Sequence, residues 1–222
     1  MIESQLCKQV INARLTYLDE QALLDLYETV KNLEARKVKG GILEMGCALG
    51  GSAIVISKAK SNDRYFGIYD VFGLIPPPSK KDAEDIQQRY KEIVSGKSKG
   101  IKGDTYYGYQ KNLKRQVVTN LKKFNITTKK NNIHLVQGLY GETLRFSEDT
   151  SIAFAHIDCD WYESVRVCLE RIVPKLSIGG VVVIDDYDTW SGCKKAVDEY
   201  FINKRSCFRF EQKSRLHITK CR

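Results

Sequence analysis

Four aspartates carry the chemistry of this sequence. They stand in two short stretches, Ile157-Asp158-Cys159-Asp160-Trp161-Tyr162-Glu163-Ser164 and Ile184-Asp185-Asp186-Tyr187. Carboxylates gathered into one small volume repel and raise each other's pKa unless a cation neutralises them. A ligand set of oxygens alone favours a hard ion, Mg²⁺ before Ca²⁺ or Mn²⁺. The plainer alternative is that Asp185-Asp186 caps a helix starting at Thr189 and that Asp158 caps the helix after it. Acids at the ends of two matched strands favour a site over a pair of caps.

The elements that must position these acids are legible around them. Ser151 to Ile157 and Val181 to Ile184 are short apolar runs of the kind that form buried strands. Between them, Tyr162 to Leu176 carries apolar residues at helical spacing (Val165, Val167 to Leu169, Ile172, Val173), and Ser177 to Gly180 supplies a stop. A strand-helix-strand unit of this kind is a right-handed parallel crossover. Neighbouring strands would bring the two acidic ends to within about 5 Å.

An earlier stretch has the same design. An apolar strand from Lys39 ends in Glu44, a turn follows through Gly46, Cys47, Ala48 and Gly50, and a helix begins near Ser52. Ala48 stands where a dinucleotide-binding turn would have its second glycine, so the turn suits the small nucleoside of S-adenosylmethionine better than a pyrophosphate. Arg64 to Asp70 reads as the next strand, with Asp70 placed to accept hydrogen bonds from ribose hydroxyls. Ile133 to Gly138 is a further strand whose polar end, Gln137 and Gly138, suits an adenine edge. His134 and His156 lie within strands, where a lone histidine is more often a satisfied core residue than a catalyst. Phe208 to Gln212 and Leu216 to Thr219 complete a mostly parallel sheet with an antiparallel edge.

Two segments lie outside this α/β pattern. Residues 1–38 form a helical N-terminal extension, with helix from Gln5 to Ala35 and its main part opening at Thr16 or Asp19. Residues from about 76 to 130 form an insertion too long for an ordinary connection. It holds helices near Lys81 to Val94 and Gln110 to Phe124 around a Gly-, Lys- and Tyr-rich middle. Following a strand's carboxyl end, it reads as a substrate-side lid. Tyr106, Tyr107 and Tyr109 would be wall residues or would pack the insertion onto the domain.

With 222 residues, the chain is most simply one domain. No apolar run is long enough to span a bilayer, and the N-terminus lacks signal-peptide character, so a cytoplasmic protein is expected. The 7 cysteines have no Cys-x-x-Cys spacing, which excludes a zinc ribbon and favours free thiols. Cys159 flanks the acids, but strand alternation turns it to the other face. The formal charge of +9 is concentrated in the insertion, where Lys outnumbers Arg and no nucleic-acid motif accompanies it. A solvated basic surface explains it better than a nucleic-acid partner does.

The chain resembles the macrocin O-methyltransferase family, whose better-known members methylate sugar hydroxyls in antibiotics. The resemblance runs through Leu43-Glu44-Met45-Gly46, Asp70-Val71-Phe72-Gly73-Leu74, Gln137-Gly138, Ile157 to Ser164, Pro174 to Gly180 and Asp185-Asp186-Tyr187. It implies a Rossmann-like class I methyltransferase using S-adenosylmethionine and Mg²⁺, commonly as a homodimer. Asp158, Asp185 and Asp186 become metal ligands and Asp160 the general base. Glu44, Gly46, Ser52 and Asp70 fall at cofactor positions. The resemblance also implies a cofactor contact at Thr16, although this chain departs from the family's frequent Thr-Met with Thr16-Tyr17. The expected acceptor is a small molecule with neighbouring hydroxyls, a sugar before a catechol. The rival readings are an RNA-binding protein or RNA methyltransferase using the basic insertion, and a cofactor-binding relic. Repulsion of phosphates by the acids opposes the first, and the four intact aspartates oppose the second.

Overall fold

The computed structural model describes residues 2–222, so Met1 lies outside it. Seven strands form one sheet: β1 Gly41–Met45, β2 Phe66–Asp70, β3 Ile133–Gln137, β4 Ile152–Ile157, β5 Leu176–Ile184, β6 Phe208–Gln212 and β7 Leu216–Lys220. Their order is β3-β2-β1-β4-β5-β7-β6. The first five pair in parallel, and β7 runs antiparallel to both β5 and β6. The chain steps outward from β1 to β2 and β3, then returns to place β4 on the other side of β1. That reversal is the switch point beside which α/β sheets bind ligands.

The central strands read as continuous apolar runs because both faces are covered: every residue of β4 is buried. On one face lie α1 Ile2–Asn12, α2 Glu20–Ala35, α3 Gly51–Ala59 and α5 Leu113–Lys123, with Leu23, Leu26, Val30, Ile54, Val117 and Leu121 in a shared core. The other face is packed by α7 Tyr162–Ile172 and α8 Ser191–Phe201, through Val165, Leu169, Cys193, Val197 and Phe201. Two further helices are α4 Glu84–Val94, within the insertion, and the single-turn α6 Tyr140–Thr143.

The N-terminal helix expected from Gln5 to Ala35 is in fact two. It breaks at Arg14, whose φ of 56° lies in the left-handed region. The chain then docks onto the start of α3, where the Gly51 N–H donates to the Leu15 carbonyl at 3.0 Å. A second helix opens with Asp19, whose carboxylate accepts from the Ala22 N–H at 2.8 Å. Helical periodicity persists across the break because both helices bury an apolar stripe in the same core. The expected stop at Ser177 to Gly180 lies inside β5, as an irregularity where the register with β4 shifts between Ile152 and Phe154. His134 is exposed on the edge strand β3, stacked on Tyr65, and is no core residue. No helix among the described residues is long and apolar enough to cross a membrane.

Candidate active site

The exits of β1 and β4 are pressed together. Gly46 has φ 82°, and a Cβ there would stand 1.8 Å from the Asp158 carbonyl oxygen. The turn after it is held from β2: the Asp70 carboxylate accepts the Cys47 N–H at 2.9 Å and the Phe72 N–H at 2.6 Å. Burial raises the Asp70 pKa above the ordinary carboxylate value, and those two N–H groups offset part of the rise. Ala48 takes φ 44° where a glycine would have been relaxed.

The four aspartates converge as the sequence predicts. Asp158 follows β4, and Asp185 and Asp186 follow its neighbour β5, with Ile157 in register with Ile184. None of the three caps a helix: the N-cap residues of α7 and α8 are Trp161 and Trp190. The capping alternative is thereby removed. Asp160 sits in the left-handed region at φ 56°, and its N–H donates to Asp186 Oδ2 at 3.3 Å. Burial, then the charges of Asp185 and Asp186, push the Asp158 carboxyl well above its usual range. Asp186 is raised the same way, by burial and then by Asp160 and Asp185. Burial also lifts Asp160, to about 6, although a hydrogen bond from Trp190 pulls it back.

A second ring of charge surrounds the cluster. His156 lies directly opposite Glu44 across β4 and β1. Its Nδ1 is 3.3 Å from Glu44 Oε1, and its Nε2 is 3.6 Å from Asp185 Oδ1, an ion-pair contact too long for a hydrogen bond. Burial disfavours the charged ring, but the carboxylates of Asp185, Glu44 and Asp158 outweigh it and lift His156 to about 10. From the residue just before β7, Arg215 Nε donates to Asp185 Oδ1 at 2.9 Å. Burial raises Asp185, yet His156 and Arg215 more than compensate and hold it below the usual range.

These positions fit a divalent cation. Ligand atoms of Asp158, Asp185 and His156 lie within 4.8 Å of one another. Asp158 and Asp186 have repulsion left for a metal to relieve, whereas the carboxylates around His156 favour its charged ring and oppose its giving a lone pair. Asp186 is not part of that group; its Oδ2 accepts from the Asp160 N–H.

Two cavities meet at Gly46, Asp158 and Asp160. One, of about 340 Å³, is lined by Thr16, Ser52, Asp185 and Asp186 as well. The other, of about 310 Å³, opens along Asp70. Three expected cofactor residues line neither cavity. Glu44 is fully buried within β1 and faces His156. Gln137 donates to the Val71 carbonyl at 3.2 Å, and the Gly138 N–H donates to the Asp70 carbonyl at 3.1 Å. The segment that reaches the second cavity is the next one, Leu139 to Glu142. Of the three candidate tyrosines, Tyr106 and Tyr107 line the first cavity, and Tyr107 lines both. Tyr109 instead ties the insertion together through the Ile93 carbonyl.

Arg89, Trp190 and Arg215 line the first cavity and were not singled out from the sequence. Arg215 enters only because β7 inserts beside β5, a pairing no local motif announces. No lysine lines either cavity, and the lysines of the insertion are mostly exposed. Cys159 packs with the α7–α8 core, where burial pushes its thiol far above the range of a nucleophile.

The sheet order, the glycine turn at β1 and the acid cluster at the switch point define a class I, Rossmann-like O-methyltransferase that uses S-adenosylmethionine. Residues 12–207 match the family Macrocin-O-methyltransferase (TylF), and the chain belongs to that family. It is 24% identical over 189 residues to a demethyldecarbamoylnovobiocin O-methyltransferase of Streptomyces niveus, with 83% of this chain and 67% of that protein covered. It is 27% identical over 190 residues to 8-demethyl-8-(2,3-dimethoxy-alpha-L-rhamnosyl)-tetracenomycin-C 4'-O-methyltransferase of Streptomyces olivaceus, with the same coverage. Among solved structures, the O-methyltransferase NovP superposes with a TM-score of 0.78 at 21% identity, covering 94% of this chain and 83% of its own, a likeness of fold.

Proposed function

We propose that this enzyme methylates a hydroxyl of a sugar or glycosylated small molecule held in the first cavity, with Mg²⁺ at the aspartates and Asp160 as the general base. The observation that carries this reading is the placement of Asp160, at the junction of both cavities and against Asp186. The names of the relatives, a novobiocin-type O-methyltransferase and one whose substrate carries a rhamnosyl group, support the acceptor class. S-Adenosylmethionine supplies an electrophilic methyl group, and Mg²⁺ on Asp158, Asp185 and Asp186 would supply a Lewis acid that lowers the pKa of an acceptor hydroxyl. Asp160 takes the hydroxyl proton. Thr16, Gly46, Ser52 and Asp70 would hold the cofactor where the two cavities meet, and such positioning would provide most of the acceleration. Trp161, Trp190 and Tyr106 give the acceptor side aromatic walls.

Labelled cofactor and a panel of glycosylated acceptors test this reading. Transfer to a sugar hydroxyl is expected, abolished by a chelator and restored by Mg²⁺. Full activity in chelator would remove the metal, and transfer to RNA alone would replace the acceptor. Asp185→Asn keeps the size of the side chain but removes one charge. Its activity should fall and recover in part at higher Mg²⁺, because binding is what was damaged.

Asp70→Ala should weaken binding of S-adenosylhomocysteine by about 1.5–3 kcal/mol, the scale of a hydrogen bond to a charged group. The Cys47 and Phe72 N–H groups would lose their acceptor in the same change. Calorimetry checks it, and an unchanged dissociation constant would take Asp70 out of the cofactor site.

A further inference from the structure

Helices α7 and α8 each begin directly after an acid-bearing loop, Asp158–Trp161 and Asp185–Trp190. Neither carries a capping side chain of its own, since Trp161 and Trp190 occupy the N-cap positions. The missing acceptors come from the insertion. Asp82, buried at 6% exposure, accepts the Tyr162 N–H through Oδ1 at 2.7 Å. Its Oδ2 is fixed by the Ser79 N–H at 2.8 Å and the Ser79 hydroxyl at 2.9 Å. One turn further on, Asp85 accepts the Ser191 N–H at 3.1 Å and the Ser191 hydroxyl at 2.7 Å. Trp161 Nε1 donates to the Pro76 carbonyl at 2.9 Å, which secures the same segment from its other end.

The fit leaves little slack. A Cβ on Gly192, in the first turn of α8, would stand 2.3 Å from Asp82 Oδ1, 2.6 Å from Ile86 Cδ1 and 3.1 Å from the Tyr162 nitrogen. The entry to α4 is therefore wedged between the starts of α7 and α8. Two carboxylates at two helix N-termini also complement the helix dipoles. Tyr162 is two residues from Asp160, and the Thr189 and Trp190 N–H groups both donate to the Asp186 carbonyl at 3.0 Å. Each cap thus holds one side of the Asp160–Asp186 contact.

We propose that Asp82 and Asp85 are positioning residues for methyl transfer: by capping α7 and α8 from outside, they keep the loop of Asp160 in register with the loop of Asp186. Their role in the reaction rests on the reading of those two acids above; the register itself does not. Asp160 holds a strained left-handed backbone, and such conformations persist only where the surroundings over-determine them. The bolt from the insertion is part of that surrounding.

The chain's 2 tryptophans, Trp161 and Trp190, stand at the two capped helix starts with ring centroids 6.0 Å apart. Tryptophan fluorescence therefore reports the two loops and nothing else. In Asp82→Ala and Asp85→Ala, acrylamide quenching should rise and the emission shift to the red, with far-UV circular dichroism and S-adenosylhomocysteine binding retained. Mn²⁺, titrated alone and followed by electron paramagnetic resonance, should bind about five-fold more weakly, the scale of one lost helix cap. Asp85→Asn keeps an oxygen for the Ser191 N–H, its amide can donate to the Ser191 hydroxyl, and it should restore the spectrum and the Mn²⁺ affinity; Asp82→Asn keeps an oxygen for the Tyr162 N–H but sets its amide against the Ser79 N–H, and should restore them in part. Unchanged fluorescence in both alanine variants overturns the proposal, as does a failure of both asparagine variants to restore it. If the wild type binds no Mn²⁺ while the alanine variants still show the fluorescence change, the metal reading is refuted and the register stands. If Asp82→Ala does not fold, Asp85→Ala, altered at an exposed residue, decides the matter with the asparagine pair.

Discussion

Asp160→Asn should lower turnover by about 10²–10⁴-fold, the range for a lost general base, while leaving Mg²⁺ and S-adenosylhomocysteine binding intact. The substitution is unusually clean at this position. Asp160 has φ 56°, and asparagine tolerates that region as well as aspartate does. Its N–H still donates to Asp186. What disappears is the carboxylate that burial has raised to about 6, nearer to neutrality than a surface aspartate and so better matched to proton transfer. Single-turnover transfer from labelled cofactor measures the chemical step apart from binding. Added Mg²⁺ should not restore it; high pH should do so in part, by ionising the hydroxyl in solution. Rescue by Mg²⁺ would make Asp160 a ligand. The base would then have to be sought beyond His156, two residues before Asp158, because the carboxylates of Asp185 and Glu44 lift that ring to about 10.

Gly46→Ala should destabilise the fold by roughly 3–4 kcal/mol and abolish cofactor binding, as expected of overpacking against main chain. The new methyl would overlap the Asp158 carbonyl oxygen at 1.8 Å and crowd its carbon at 2.9 Å. Neither atom can rotate aside, because the Asp158 N–H is itself bonded to the Met45 carbonyl at 2.9 Å. Relief requires β1 and β4 to part at the point where both cavities meet. Gly96→Ala is the control: Gly96 has a similar φ, 76°, but open space around its would-be Cβ. It should cost only about 1 kcal/mol, the backbone penalty alone. Chemical denaturation compares the two, and equal losses would show that φ, not the contact with Asp158, makes Gly46 necessary.

Much of this arrangement is legible in the sequence because strand ends announce themselves. Apolar runs that stop at Asp70, Asp158 and Asp185 fix both the strands and the side of the sheet on which the acids gather. The crossover rule then makes β4 and β5 parallel neighbours. What stays illegible depends on contacts between distant residues. Glu44 ends an apolar run just as Asp70 does, yet it lies one residue inside β1, where the direction of a side chain is set by pleat and register. Position along the strand puts Gln137 and Gly138 at the adenine edge, but the path of the next residues brings Leu139 to Glu142 to the cavity. Asp82 and Asp85 look like ordinary first-turn acids of their own helix. Only the folded chain shows that they serve two others.

The position of β7 sets an order on the maturation of the enzyme. This strand is synthesised after the other six, yet it inserts between β5 and β6 and brings Arg215 to Asp185. Until it arrives on the ribosome, β5 is an open edge and Asp185 has no guanidinium beside it. A nascent chain stalled before Ser214 would hold the glycine turn and all four aspartates but an unfinished centre. Such an intermediate, with β5 unpaired on one side, is also the one most exposed to edge-to-edge aggregation.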